Sequence, residues 1–366
     1  LYWNELKIIL EKAKPFFEFL SISDKYCTAS QKILSLMEFR VPYYVGPLVS
    51  AEKSKFAWMV KMNNALSGKI YPWNFDEIVD KDASEELFIK RMTCKCTYCA
   101  GEDVLPKGSL LYSKFCVLNE INNLRINNEP ITPECKQFIY TELFEKYRKV
   151  TLKRIENLLV SNGYMKKGDE ISGIDITVKS SLSSYHDFKS LFSRKTLSEA
   201  DAEEIIKRIT YTQDKTRLKK WLRSNYNLSA DEIKYISNLK YSDFGRLSAK
   251  LLTGYSDLKN GQVCNPNIIG MMWKTNLNLM QLLSDSFSYS EQIQADNIAY
   301  YADKPQTFNE RLDEMYISNA VKRPIIRTID IVKEIGSIMK TQPKKIFIEM
   351  ARGANDDQKK KRTVSR

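Results

Sequence analysis

Residues 198–209 read SEADAEEIIKRI and show a pattern that recurs through most of the chain. The hydroxyl of Ser198 can cap a helix, acidic residues follow in the first turn, and three isoleucines recur at the helical period. The same apolar spacing is found in four groups, which are Leu6, Ile9, Leu10 and Ala13; Leu143, Phe144 and Tyr147; Ile205, Ile206 and Ile209; and Ile325, Ile329, Val332, Ile335 and Met339. We therefore predict a mainly helical protein whose apolar stripes face its core.

Clusters of Gly, Pro and Asn interrupt these helices and indicate loops. They lie at residues 41–47, 67–72, 129–133, 161–173, 258–266 and 302–307. Thr132, which precedes Pro133, predicts a second capped helix start. Near the end of the chain, residues 325–340 have the pattern of a helix, 341–343 break it, and 345–350 alternate like a strand. This helix-then-strand unit predicts a piece of an α/β domain.

The length and composition indicate a globular protein. A chain of 366 residues, 43% hydrophobic and 28% charged, is long enough for two or three domains with a buried core. This composition excludes collagen-like, low-complexity and wholly disordered chains. No apolar run approaches the roughly 18 residues that a membrane helix needs. Because the chain opens on Leu1 and its start does not resemble a signal peptide, we expect a piece of a longer protein.

The charge balance favours a polyanionic partner. With 57 Lys and Arg against 45 Asp and Glu, the net charge is +12, which suits nucleic acid or an anionic membrane face. The excess is concentrated at residues 207–223, where seven basic residues accompany only Asp214, and at 344–366, where eight accompany three acidic residues. We expect two local positive surfaces, although either run also suits an ordinary solvated helix face.

Cysteine and histidine offer few sites for catalysis or metal binding. Seven cysteines without a secretion signal suggest reduced thiols in the cytosol. Cys94, Cys96 and Cys99 form a C-x-C-x-x-C cluster that could bind zinc with Cys116 or Cys135, but structural zinc usually uses two paired knuckles, so we favour small-residue packing.

The single histidine, His186, lies at a junction that predicts a helix start. We interpret it as a capping or surface residue rather than a catalytic one. The sequence also contains no G-x-G-x-x-G, P-loop or G-x-S-x-G motif, which disfavours a conventional small-molecule enzyme.

Glu349 interrupts the apolar run at residues 346–350. A carboxylate there must face solvent, pair with a cation such as Arg352, or bind a metal, because burying it unpaired costs several kcal/mol. The local pattern alone favours the first two alternatives.

A series of short motifs resembles the type II RNA-guided CRISPR effector endonucleases, in particular their recognition lobe. The motifs are FRVPYYVGPL (39–48), FAWM (56–59), PWNF (72–75), VLPK (104–107), SLLY (109–112), EISG (170–173), YHD (185–187), FGRLS (244–248) and FIEMAR (347–352). Their order also matches that of the family, and the resemblance runs along essentially the whole chain.

The resemblance implies a fragment with three parts. Residues 1–89 would be the end of the first helical recognition domain, 90–300 the second, and 301–366 the second segment of the split RuvC domain, a small helix-strand piece of an RNase-H-like α/β nuclease. In the family this lobe holds the heteroduplex of guide RNA and target DNA through its shape and backbone. A phage-encoded inhibitor of the nuclease is the alternative partner. The resemblance further implies a bacterial cytoplasmic protein without a membrane partner.

The resemblance also implies nucleic-acid-binding residues. The positions that match heteroduplex contacts are Arg40, Tyr43, Lys107, Tyr112, Phe244, Arg246 and Gln281. Phe244 stands where relatives carry Trp, and either ring could pack on the duplex backbone. Core packing remains the alternative for Tyr43 and Trp73. At Cys94 a thiol replaces an amide of the family, and it is a poor substitute for a phosphate contact.

For Glu349 the resemblance implies a catalytic role. The glutamate of the I-E-M-A-R motif helps to bind the two divalent ions of the nuclease, so Glu349 would be a ligand of Mg²⁺ or Mn²⁺. A single glutamate cannot hold Mg²⁺, and its partner ligands would come from the first and third RuvC segments. We therefore expect the fragment alone to bind no metal and to be inactive.

Overall fold

The structure, a computed structural model, describes residues 2–50, 54, 57–62, 68–175, 178–212, 214–259, 262–304, 307–315, 317–341, 343–345 and 347. Within these residues helices dominate and the strands are short, so the predicted mainly helical fold is confirmed. No helix in these ranges is both long enough and apolar enough to span a bilayer.

The helices are numbered in chain order. They are α1 (Tyr2–Ala13), α2 (Ala29–Glu38), α3 (Phe75–Ile78), α4 (Lys81–Met92), α5 (Leu110–Ile121), α6 (Pro133–Ile139), α7 (Leu152–Ser161), α8 (Ser183–Ser193), α9 (Glu199–Tyr211), α10 (Lys215–Asn225), α11 (Ala230–Ile236), α12 (Ala249–Thr253), α13 (Ile268–Lys274), α14 (Leu279–Leu282), α15 (Tyr289–Asp303), α16 (Phe308–Glu314) and α17 (Asn319–Met339). A 3₁₀ turn occupies Glu18–Leu20, and a π-helical turn, Tyr140–Phe144, follows α6 directly.

The strands form small antiparallel sheets. In these sheets, β1 (Val60–Lys61) pairs with β2 (Val79–Asp80), β3 (Arg125–Ile126) pairs with both β4 (Glu129–Pro130) and β5 (Ile171–Ser172), and β6 (Ser256–Lys259) pairs with β7 (Gln262–Asn267).

The chain divides into two compact units. The first comprises Leu1–Pro305 with Glu314–Tyr316, and the second comprises Gln306–Asp313 and Ile317–Arg366. The assignment of residues 1–89, 90–300 and 301–366 to three family domains stays a prediction.

The first unit is built around hydrophobic clusters. The largest joins α5, α6, α7 and the π-helical turn to α12, α13, α14 and α15, and it includes Leu118, Ile139 and Met272. A second cluster joins α8, α9, α10 and α11, where Ile205 and Ile206 are fully buried. The buried isoleucine stripe of α9 is therefore confirmed. Burying each such side chain contributes about 1.5–3 kcal/mol.

Both predicted helix starts are confirmed, and both use local caps. At α9 the Ser198 hydroxyl accepts from the backbone N–H of Asp201 at 3.1 Å, while the Asp201 carboxylate accepts from the backbone N–H of Ser198 at 2.8 Å. At α6 the Thr132 hydroxyl accepts from the backbone N–H of Cys135 at 3.3 Å, and Pro133 occupies the first turn. Such caps contribute about 1 kcal/mol each.

Several local predictions need correction. In the predicted core stripe of α1, Leu10 is buried but Ile9 is 55% exposed. The short strands β4 and β5 lie within residues 129–133 and 161–173, which are predicted as loops.

The helical spacing of Leu143, Phe144 and Tyr147 belongs to the π-helical turn, which ends at Phe144 and leaves Tyr147 outside it and exposed. Residues 258–266, predicted as a loop, contribute to the β6–β7 hairpin, in which Leu258 pairs with Val263. The hairpin forms because the backbones of residues 256–259 and 262–267 can pair in antiparallel register.

The second unit contains α16 and α17. The predicted helix over residues 325–340 is observed as the longer α17, and Lys340 ends it with a left-handed φ of 51°. Its apolar stripe is not buried as predicted, since Ile335 and Met339 are 53% and 65% exposed. Within the described part of this unit, Lys322 joins α17 to α16 by donating to the Asp313 carbonyl at 2.9 Å, which is a polar contact rather than a core.

The predicted strand at 345–350 falls mainly outside the described residues, as do Glu349 and most of the basic run at 344–366. The α/β character of this segment therefore stays a prediction.

Candidate nucleic-acid interface

Two motifs that are far apart in sequence form a short antiparallel ladder, residues 105–107 against 243–247, here called the paired segments. Pro106 and Phe244 form its central bridge. On one side the backbone N–H of Lys107 donates to the Asp243 carbonyl at 2.8 Å, and on the other that of Gly245 donates to the Leu105 carbonyl at 2.7 Å. The ladder brings the VLPK and FGRLS motifs together, and with them Lys107 and Arg246.

Tyr112 of the SLLY motif packs on the paired segments. Its ring lies against Gly245, where an added Cβ would come within 2.4 Å of the ring carbon Cε2. A glycine is therefore required for this close approach. Burial raises the pKa of the Tyr112 hydroxyl, which the neighbouring Arg246 partly opposes. Three of the predicted contact residues, Lys107, Tyr112 and Arg246, thus share one surface.

The cations on this surface remain accessible. The Arg246 residue is exposed, and its carbonyl accepts from the backbone N–H of Thr97 at 3.0 Å, which fixes the backbone from which the guanidinium extends. The Lys107 ammonium lies 3.6 Å from the Asp243 carboxylate, and their side chains are 59% and 71% exposed. Such an exposed ion pair contributes about 0–1 kcal/mol, so it leaves Lys107 able to bind another anion.

A cavity of about 390 Å³ adjoins the paired segments and is here called the lysine–serine cavity. Its lining includes Lys107, Lys179 and Lys240, four serines of the segment 180–184, and the ring of Tyr241. Ammonium and hydroxyl groups are the donors that commonly hold phosphate oxygens. Lys179 already pairs with Asp175, but both side chains are largely exposed.

Sequence reasoning missed Lys179 and Lys240. The only local signal was the position of Lys240 shortly before FGRLS, together with the run of serines after Lys179.

Asp187 of the YHD motif holds part of the lining of the lysine–serine cavity in place. The Asp187 carboxylate accepts from the Tyr241 hydroxyl at 2.7 Å and pairs with Arg148. The Tyr241 ring in turn lies against Gly108, where a Cβ would come within 2.6 Å of it. Asp187 therefore positions one wall of the cavity.

His186 lies in the first turn of α8, so the helix start predicted there is confirmed, but it neither caps the helix nor lies free on the surface. Its Nε2 is half-buried and donates to the Phe144 carbonyl at 2.8 Å.

Phe244 and Gln281 have intramolecular partners. The half-buried ring of Phe244 makes an edge contact with Tyr211, with ring centroids 5.5 Å apart. The Gln281 side-chain oxygen accepts from the backbone N–H of Asn278 at 2.9 Å, which completes the cap of α14. Both residues are predicted to contact nucleic acid, and these intramolecular contacts cover part of each side chain.

Arg40 and Tyr43 lie in the segment between α2 and β1. Arg40 is exposed and donates to the Phe39 carbonyl at 2.8 Å. Tyr43 is 58% exposed and makes an edge contact with Phe88 at 5.9 Å between centroids, so it is not a core residue. The Trp73 side chain, in contrast, is half-buried. Its ring stacks on that of Tyr71, with centroids 5.0 Å apart and an interplanar angle of 6°.

The basic run at 207–223 is less positive at the surface than predicted. Arg217 pairs with Glu85, at 3.0 Å between Nη1 and Oε2, and also with Asp82. Arg208 contacts the same Asp82 at 2.9 Å. Two of the seven basic residues are therefore paired within the protein, because the acidic face of α4 packs against α9 and α10. Lys220 and Arg223 remain exposed and form no ion pair with any described residue.

The cysteine cluster lies mainly in the core. Cys96 and Cys99 are buried in the largest hydrophobic cluster, and the Cys96 sulfur accepts from the backbone N–H of Ser248 at 3.3 Å. Bonding to Cys99 lowers the pKa of Cys96 to about 5. Nowhere in the described ranges do three His, Cys, Asp or Glu side chains form a group that could hold a metal ion. Small-residue packing accounts for Cys96 and Cys99.

Comparison with known proteins identifies the family. A family model described as the REC lobe of CRISPR-associated endonuclease Cas9 matches residues 1–297. The CRISPR-associated endonuclease Cas9 of Streptococcus mutans serotype c is 33% identical over 372 residues, and that of Listeria innocua serovar 6a is 34% identical over 364. Each alignment covers 96% of this chain but 26% of the relative, so the chain spans about a quarter of their length. The predicted resemblance is confirmed, and the chain belongs to the Cas9 REC-lobe family.

Proposed function

We propose that this chain is the recognition-lobe portion of an RNA-guided DNA endonuclease and that it binds the heteroduplex of guide RNA and target DNA. The observation that carries the proposal is the joining of Lys107, Tyr112 and Arg246 by the paired segments, beside the lysine–serine cavity. These residues come from three motifs, and folding places them on one cationic surface.

The chemistry of this surface favours backbone contacts over base contacts. Lysine, arginine and serine groups bind phosphate oxygens without regard to sequence, and the net charge of +12 supports such binding. Lys179 and Lys240 would extend the phosphate-binding surface of Lys107. The uncovered part of the Phe244 ring would add a contact on the paired segments, and Arg40, Tyr43 and Gln281 would add contacts elsewhere along the duplex.

We further propose that Glu349 supplies one carboxylate to the divalent-metal site of the nuclease domain, with Mg²⁺ or Mn²⁺ as the ion. Carboxylate oxygen suits either ion, but a single glutamate is too few ligands to hold it. The remaining ligands would come from other segments of the intact nuclease. The chain alone would then bind nucleic acid without cutting it.

Fluorescence anisotropy with labelled nucleic acid tests the binding proposal. We expect the chain to bind an RNA–DNA hybrid more tightly than a DNA duplex of the same length, and with little dependence on sequence. Affinity should fall steeply with salt. For each phosphate contact, the logarithm of the association constant should drop by about 0.9 when the salt concentration rises tenfold. Equal affinity for both duplexes would overturn the proposal. A shallow salt dependence would instead indicate an apolar protein interface, such as one for an inhibitor.

A further inference from the structure

A second cavity, of about 570 Å³, lies between α5, α8, α9, α13 and the π-helical turn. We call it the aromatic–acidic cavity, because its lining differs in chemistry from that of the lysine–serine cavity. Leucine and isoleucine side chains form its walls, notably Leu111, Leu182 and Ile269. Three aromatic rings, those of Tyr140, Tyr185 and Trp273, complete the lining, along with three glutamates.

Two tyrosines, Tyr140 and Tyr185, contribute their rings to the lining of this cavity. Tyr140 is only 6% exposed, and it packs edge-on against Trp273 with ring centroids 5.1 Å apart. In the part of the chain that the structure describes, neither the Tyr140 hydroxyl nor that of Tyr185 forms a hydrogen bond. Burial raises the pKa of both tyrosines, and the nearby carboxylates of Glu145 and Glu199 raise it further. Because both side chains line the cavity, their hydroxyls can bond to a ligand that enters it.

Two of the three carboxylates of the cavity form no ion pair with a described residue. The nearby Lys189 ammonium donates to the backbone carbonyl of Glu145 at 2.8 Å, not to its carboxylate. Glu203 is already used, because it accepts from Ser109 and from the backbone N–H of Leu110 at 2.7 Å. Glu145 and Glu199, in contrast, make no side-chain hydrogen bond or ion pair with any described residue. The one lysine of the lining, Lys114, lies over the Trp273 ring at 5.4 Å. The cavity is thus net negative within a protein of charge +12.

We propose that the aromatic–acidic cavity binds a small organic cation, an ammonium or guanidinium group carried on an apolar stem. The apolar walls would accept the stem, and the carboxylates of Glu145 and Glu199 would accept N–H bonds from the charged group. The Tyr140 and Tyr185 rings add cation–π attraction, whereas Lys114 already lies over the Trp273 ring. The hydroxyl oxygens of the two tyrosines are further acceptors. A phosphate would be repelled here, so the ligand differs in charge from that of the proposed nucleic-acid interface, although Ser113 lines both cavities.

Three probes with the same aromatic stem test the charge requirement. They are phenethylammonium, the neutral 2-phenylethanol and the anionic 3-phenylpropionate, each titrated into the 366-residue chain while methyl NMR shifts are followed. We expect phenethylammonium to shift the methyl groups of Leu111, Leu182 and Ile269. It should bind about tenfold more tightly than the alcohol, the equivalent of one buried charge-assisted hydrogen bond. The carboxylate should not bind.

Single substitutions then test the assigned residues. Glu199→Gln and Glu145→Gln should each weaken phenethylammonium binding by about tenfold and leave 2-phenylethanol unaffected. Tyr140→Phe should weaken both. Glu142→Gln is the matched control, because Glu142 lies on the same π-helical turn but pairs with Lys146 at 2.6 Å and does not line the cavity.

Equal binding of the ammonium and the alcohol, or shifts confined to other methyl groups, would overturn the proposal. The proposal would also fail if the two Gln variants, shown by thermal melting to be folded, bound phenethylammonium as tightly as the parent chain does.

Discussion

The Tyr112 ring fills the space into which any side chain larger than hydrogen at position 245 would extend, because an added Cβ would lie 2.4 Å from its Cε2 atom. Gly245 is buried, and its N–H donates to Leu105, so the backbone cannot retreat without breaking the paired segments. The SLLY and FGRLS motifs are therefore linked by steric fit. Arg246, the next residue, depends on this contact for its position.

Gly245→Ala should destabilise the chain by about 1–3 kcal/mol, because the added methyl must displace the Tyr112 ring or the strand. The free energy of unfolding, measured in urea, tests this. Tyr112→Leu provides room for the methyl, so the double variant should be more stable than the sum of the two single effects predicts. Strict additivity would mean that the two residues do not press on each other.

Arg246→Ala should weaken heteroduplex binding by about 1–3 kcal/mol and by the same amount for every target sequence, as expected for a phosphate contact. Folding should be unaffected, since the Arg246 carbonyl still accepts from Thr97. Anisotropy with several hybrids measures the effect. Lys167→Ala, at an exposed lysine away from the paired segments, is the control and should change little. A variant that altered target preference would contradict the phosphate assignment.

Arg217→Ala should lower stability by about 3–5 kcal/mol, because it removes one side of the ion pair with Glu85, whose side chain is 3% exposed. Arg223→Ala, on the same helix but exposed, should change stability by less than about 0.5 kcal/mol and reduce only nucleic-acid affinity. Urea unfolding and anisotropy separate the two effects. If Arg217→Ala were stable but bound poorly, the arginine would face the nucleic acid instead.

Lys136 should make stability rise with pH in the alkaline range. It is fully buried, and burial lowers its pKa from 10.5 to about 8. Between these values the unfolded chain binds a proton that the folded chain has lost, so the free energy of unfolding should increase by about 2 kcal/mol from pH 8 to pH 10. The neutral amine can still donate to the carbonyls of Met272 and Thr275.

Urea unfolding of the parent chain and of Lys136→Met across this pH range isolates the contribution of Lys136. The variant should lack the rise, because its side chain does not titrate. Parallel pH profiles would show that Lys136 does not change its protonation on folding.

Glu349→Ala in the intact nuclease should abolish cutting of one DNA strand, while target binding and cutting of the other strand continue. Removing a metal carboxylate destroys one nuclease centre but leaves the proposed recognition surface in place. A nicking assay with each strand labelled separately measures this. Loss of both activities with a lowered melting temperature would instead support a structural pair with Arg352.

Signals confined to a few neighbouring residues were sufficient to predict several elements. The reciprocal cap of Ser198 and Asp201 and the cap at Thr132 each join residues three positions apart, so they do not depend on distant contacts. The isoleucine stripe of α9 is similarly local, and burial confirmed it. The motifs also identified the family, because their residue types and order are preserved in the sequence itself.

Contacts between distant segments decided what the local pattern could not. The run at 207–223 predicts seven available cations, but only folding shows that α4 neutralises Arg208 and Arg217. The sequence near Lys240 and Lys179 does not show that the two lysines line one cavity with Lys107. The sequence by itself determined the helices, their caps and the family, since these depend on neighbouring residues. The tertiary structure determined which charges are exposed and which side chains meet, because both depend on pairing between segments that are 60 or more residues apart, for which the chain has no local signal.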